Sequence, residues 1–208
     1  MSASFSWQVV PRRAAMAVVV AVAMAALGAC SSGGNGGRGG SGRGGGDGDE
    51  QAIFFAVTDV RVESMAAQPG PFPEDVWAGA VNLMNAYLDR GLVRPLRLGT
   101  PPSDLEPLFT PAALARVTTA DRTAMLDDGT VLSGPVTATR ANTSLVLLTD
   151  RDNQPVVINA AVDVVLSVKS EQAGTVALAR TGQVVLVKDE AGWRIDSYDL
   201  RSLRDSVP

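Results

Sequence analysis

The sequence predicts an α+β domain: two to three N-terminal helices packed on a curved antiparallel sheet of about four strands. Three observations predict it. Apolar residues recur at helical spacing from Pro73 to Arg90 and again after Thr110. From Gly134 to about Leu200 the apolar period changes to two. The helical patterns precede the alternating ones, so the helices have one sheet face to bury against.

The chain divides into residues 1–29, 30–50 and 51–208. Arg12 and Arg13 form a basic start, followed by the uncharged run Ala14 to Ala29. A membrane-spanning helix needs ~20 apolar residues, so this run has the length of an export signal. Leu27-Gly28-Ala29-Cys30 resembles the lipobox of bacterial lipoproteins. The resemblance implies that residues 1–29 are a signal peptide and that the Cys30 sulfur receives a diacylglycerol, with palmitate-like acyl chains as the membrane anchor. It places the protein outside the cytoplasm, at the outer face of the cytoplasmic membrane or in the cell envelope. The alternative is an uncleaved helical anchor with an incidental Cys. Cys30 is the single cysteine, so no disulfide can form within the chain. Pro11 and Ala14-Ala15-Met16 fit a twin-arginine signal poorly, which favours the general secretory route. The excess of Arg over Lys, with abundant Ala, Gly and Val, suggests a GC-rich genome, and the lipoprotein resemblance is read as an actinobacterial one.

Residues 31–50 are rich in Gly and hold no apolar side chain. Such a segment cannot offset its ordering entropy and is expected to be a flexible tether spanning about 25 Å. The formal charge of −4 becomes −6 once Arg12 and Arg13 leave with the signal. That balance argues against nucleic acid as a partner and against a polybasic grip on lipid. Histidine is absent, which removes the commonest general base and metal ligand. No cofactor or metal site is expected.

Residues 52–63 are rich in β-branched and aromatic side chains and are expected to form a strand. Three prolines and a glycine make 66–73 a loop. The first helix is expected over Pro73 to Arg90, with Trp77, Val81, Met84 and Leu88 as its apolar stripe, widened by Ala80 and Tyr87. Glu74 and Asp75 sit at the positive end of its dipole, and Gly91 is read as its stop. Thr110-Pro111 starts a second helix, which breaks near Thr118-Thr119, resumes through Met125-Leu126 and ends at Asp127-Asp128-Gly129. That acidic pair reads as a solvated turn.

Strands are expected over Asn142–Thr149, Pro155–Lys169, Gly174–Lys188 and Gly192–Leu200, with a bulge or bend at Gly182 and a fraying tail from Arg201. Val156, Ile158, Ala160, Val162, Val164, Leu166 and Val168 share one face of the second of these, and Asp163 lies on the other. Matching apolar side chains across the next hairpin sets Leu166 opposite Leu178, Val168 opposite Val176, and Val164 opposite Arg180.

The Trp77–Leu88 helix, the Thr110-Pro111 start, the long strands and the ending Val187 to Ile195, with Trp193, resemble the nuclear transport factor 2-like (cystatin-like) superfamily over about residues 73–200. The resemblance implies a sheet curved into a cone over the helices. Enzymes of that superfamily, of the isomerase and dehydratase types, place an Asp, Tyr or His inside the cone; other members bind or assemble. The groups that could face a cone here are Tyr87, Asp163, Arg180 and Tyr198. They form no constellation with assignable roles. The expectation is therefore no catalytic residue, with the domain taking an envelope protein or a lipid-like ligand. A small tethered isomerase- or dehydratase-like enzyme is the alternative.

Overall fold

The structure is a computed structural model that describes residues 51–64, 74–128 and 130–207. The expected signal peptide, Cys30, the tether and the 66–73 loop lie outside the described residues. Strand β1 (Ala56–Ser64) comes first, and a helical layer follows. It holds α1 (Glu74–Tyr87), a π-helical stretch (Leu88–Val93), α2 (Arg94–Leu98), α3 (Pro111–Val117) and α4 (Arg122–Met125). The chain closes with β2 (Val136–Thr149), β3 (Pro155–Ser170), β4 (Gly174–Asp189) and β5 (Gly192–Val207). The fold is α+β, as expected.

Two features of the expected architecture need correction. Among the described residues the sheet has five strands in the order β1-β2-β3-β4-β5, and it is mixed: β1 runs parallel to β2 while the other neighbours are antiparallel. The helices are accordingly not N-terminal but lie between β1 and β2. A parallel pair needs a crossover, and the helical layer is that crossover. Phe55, just before β1, is buried, and its N–H donates to Asn85 Oδ1 at 2.8 Å. The polar side of α1 thus holds the segment that leads into the sheet.

The first helix does not stop at Gly91. It passes through the π-helical stretch into α2 and ends at Gly99, whose φ of 65° is the left-handed conformation that glycine supplies. Pro95 explains the widening. It has no N–H for the Gly91 carbonyl four residues back, and its ring crowds that carbonyl. The Gly91 carbonyl instead accepts the Asp127 N–H at 3.0 Å. A side chain at Gly91 would begin 3.2 Å from the Tyr87 ring and 3.3 Å from Leu126. Gly91 is there to let the 126–127 segment approach.

Helix α3 starts as the sequence predicts, with Thr110 Oγ1 accepting the Ala113 N–H at 3.4 Å. The core lies between the helices and one sheet face. Ala80, Met84, Tyr87, Leu88 and Leu96 meet Ile158, Val164, Leu166, Val168, Val184, Leu186 and Ile195 there. Val156 is exposed, because it lies at the strand's end beyond helical cover. The β3–β4 register pairs Val164 with Arg180, Leu166 with Leu178 and Val168 with Val176. Gly182 holds regular pairing on both sides, and the β4–β5 irregularity falls at Val185/Leu186. Glycine is needed at 182 because φ is +146° and a Cβ would lie 2.0 Å from the Asp199 carbonyl oxygen. The tail from Arg201 does not fray: β5 pairs with β4 as far as Val207.

Candidate functional site

The most unusual chemistry in the domain is a buried charge cluster. Asp127 leaves α4 through the extended residue Leu126 and is pinned by its N–H to Gly91. Arg180 sits on the core-facing side of β4, two residues from buried Leu178. Arg204 lies opposite Leu178 on β5 and shares that face. Asp127 Oδ2 accepts from Arg180 Nη2 at 2.9 Å, and Asp127 Oδ1 accepts from Arg204 Nη2 at 2.7 Å. Asp127 and Arg180 are each only 4 % exposed, while the Arg204 side chain is half-exposed. Arg180 also donates to the carbonyls of Ala179 at 3.0 Å and Leu126 at 3.4 Å. Its Nε is enclosed and has no acceptor among the described residues.

Beside this cluster runs a crevice lined by Leu92, Leu96, Val164, Leu166 and Leu178, with Asp127 and Arg180 at one side. It is too narrow for a water molecule. Tyr87 is buried near the charge cluster. Its hydroxyl donates to the Met125 carbonyl at 2.6 Å, and its ring meets Phe109 edge-on at 6.3 Å. Burial raises the Tyr87 hydroxyl well above the usual tyrosine pKa; Arg180 opposes that shift, and Asp127 and Tyr198 add to it.

A second cluster joins α3 and α4 to β5. Tyr198 donates to Asp121 Oδ2 at 2.9 Å, and Arg116 donates to the same oxygen from Nε at 3.0 Å and Nη2 at 2.7 Å. The Arg116 guanidinium also lies 5.2 Å from the Tyr198 ring centre. The Tyr198 hydrogen bond, then Arg116, holds the Asp121 carboxyl below its ordinary range. Desolvation, then the Asp121 carboxylate, pushes Tyr198 up to about 12.

The four sequence candidates therefore separate. Arg180 is at the buried cluster, Tyr87 is buried near it, and Tyr198 is in the second cluster. Asp163 is on the opposite sheet face, half-exposed and paired with Arg140 at 2.7 Å. Sequence reasoning missed Asp127, which it placed in a solvated turn, and Arg204, which it placed in a fraying tail. A signal for Arg204 was present, since it has the same strand parity as buried Leu200. For Asp127 the only local hint is its place directly after Met125-Leu126. Among the described residues no group of three or more His, Cys, Asp or Glu could hold a metal ion, and no helix is long and apolar enough to cross a membrane.

No family model, curated protein or solved structure matches this chain.

Chemically, the arrangement joins strands to helices through engaged polar groups. Asp127 has both oxygens engaged by guanidinium groups, and the Tyr87 proton is given to a carbonyl. General acid–base work near neutral pH needs a group whose pKa is brought toward neutrality. Asp121 and Tyr198 are both moved away from it.

Proposed function

We propose that the protein is an exported lipoprotein, anchored through Cys30 at the outer face of the cytoplasmic membrane or in the cell envelope, whose domain is a non-enzymatic binding or assembly module. Leu27-Gly28-Ala29-Cys30, after a basic and then uncharged leader, carries the first half of this reading. The second half rests on the engaged polar groups. Asp127 is taken up by Arg180 and Arg204, and Asp163 is paired with Arg140 on the far face. A nuclear transport factor 2-like domain is supported by helices followed by long antiparallel strands, and by Trp193 seated on Gly79 of α1. The parallel strand β1 is an addition to that pattern.

The partner on this reading is an envelope protein or a lipid-like ligand, with no cofactor. The test has two parts. Metabolic labelling with a fatty acid should mark the wild-type chain, and Cys30→Ala should abolish the label and leave an unprocessed precursor. Label and cleavage retained in Cys30→Ala would overturn the anchor. Capture of the lipidated protein from its own membranes should then bring down a discrete protein or lipid. A catalytic turnover that depends on Asp121 or Tyr198, with the fold intact, would overturn the module.

A further inference from the structure

Three strongly exposed apolar side chains lie in segments that meet on the last turn of α2. Phe54 is 64 % exposed, Leu98 63 % and Val131 68 %. Ile53 packs against the core and Phe55 is buried, so the extended lead-in to β1 throws Phe54 outward between them. Arg97, next to Leu98, donates to the Gln51 carbonyl at 2.8 Å and to the Val136 carbonyl at 3.4 Å. The Leu96 carbonyl accepts the Gly134 N–H at 2.9 Å, which ties the loop carrying Val131 to the same turn. Gln51 is thus fastened beside these side chains.

We infer that this end of the domain is a membrane-resting face, with Phe54, Leu98 and Val131 entering the boundary between headgroups and acyl chains. The inference rests on the Cys30 anchor proposed above. Only residues 31–50, eleven of them Gly, separate that anchor from Gln51. A Gly-rich chain of about twenty residues has an r.m.s. span of about 25 Å. Tethering of this kind gives an effective concentration in the mM range, so a face too weak to hold free protein on a bilayer is engaged once the chain is attached. A protein partner could lie against any side of the domain, whereas a tether of this span favours the side at which it arrives for the bilayer. The net charge of −6 expected after loss of residues 1–29 gives anionic lipid no net attraction for the domain, so the contact rests on its apolar side chains and salt should not release it.

The experiment uses the chain from residue 30 onward, coupled through the Cys30 thiol to a maleimide-headgroup lipid in phosphatidylcholine–phosphatidylglycerol vesicles. The thioether replaces any cellular lipidation, so a failed anchor reading and a failed docking face give different results. Phe54→Trp supplies an indole at the face, and brominated acyl chains are the quencher. The emission added by this substitution, after subtracting that of Trp77 and Trp193, should fall roughly twofold and stay quenched at high salt, as expected for a side chain buried at the acyl boundary. Adding Leu98→Ser and Val131→Ser should restore it. Unquenched emission from the coupled chain would overturn the inference. So would a soluble dimer that Phe54→Ser converts to a monomer, because the face would then belong to a second copy.

Discussion

Replacing Asp127 should be among the most damaging single changes in the domain. In Asp127→Leu the Arg180 guanidinium stays buried, with only the Ala179 carbonyl at 3.0 Å and the Leu126 carbonyl at 3.4 Å to receive it. Removing one partner of a buried ion pair costs about 3–5 kcal/mol. Domains of ordinary size have ~5–15 kcal/mol in total, so the loss is a large fraction. At this length each kcal/mol moves the thermal midpoint by about 2–4 °C, giving a fall of roughly 6–20 °C. The control is Asp163→Asn, which breaks the half-exposed Arg140 pair and should cost about 0–1 kcal/mol. Arg204→Met should fall between the two, because its side chain is half-exposed. Asp127→Leu combined with Arg180→Met removes both charges and should recover most of the loss. Urea titrations with unchanged slope would measure all four. The reasoning fails if Asp127→Leu is no more destabilising than Asp163→Asn, or if the double variant is worse than the single.

Gly182→Ala should cost at least ~3 kcal/mol or prevent folding, since it combines a positive φ with a Cβ 2.0 Å from the Asp199 oxygen; soluble yield and urea midpoint report it. Neither tyrosine should ionise at pH 10 in the folded protein, and Tyr198 should titrate near pH 12 by phenolate absorbance, with Tyr87 higher still. Because the folded values lie above the unfolded value of about 10, the associated stability is full below pH ~10 and is lost as pH rises through the folded values. Limited proteolysis of the chain from residue 30 onward should release a stable core beginning near Gln51; protection of residues 31–50 would contradict the tether.

Much of the fold was legible because its signals are local and periodic. The alternation from Pro155 to Lys169 named the buried face of β3, and a slip of one residue would have turned Val164, Leu166 and Val168 to solvent, so apolar matching also selected the partners on β4. Thr110-Pro111 marked a helix start because a cap and a missing N–H act within one turn. The strand before α1 could be recognised by composition, but not placed. Its pairing with β2 spans the whole helical layer, and no local pattern encodes a partner that far along the chain.

The charge cluster needed the tertiary structure for the same reason. Asp127-Asp128-Gly129 reads as a solvated turn until Pro95 frees the Gly91 carbonyl and Gly91, lacking a side chain, leaves room for Leu126. The turn is then drawn onto the helix, and Asp127 meets Arg180 and Arg204 from two strands. Likewise, the mostly polar residues 201–206 look like a tail because a single edge partner, β4, holds them. By itself the sequence determined the class of the domain, the buried faces of its long strands and the cysteine on which an anchor could form. Which carboxylate is buried, and with which cations, was decided only by contacts between residues more than fifty positions apart. Burial is a property of the assembled layers, and a charged residue carries no mark of it in its own neighbours.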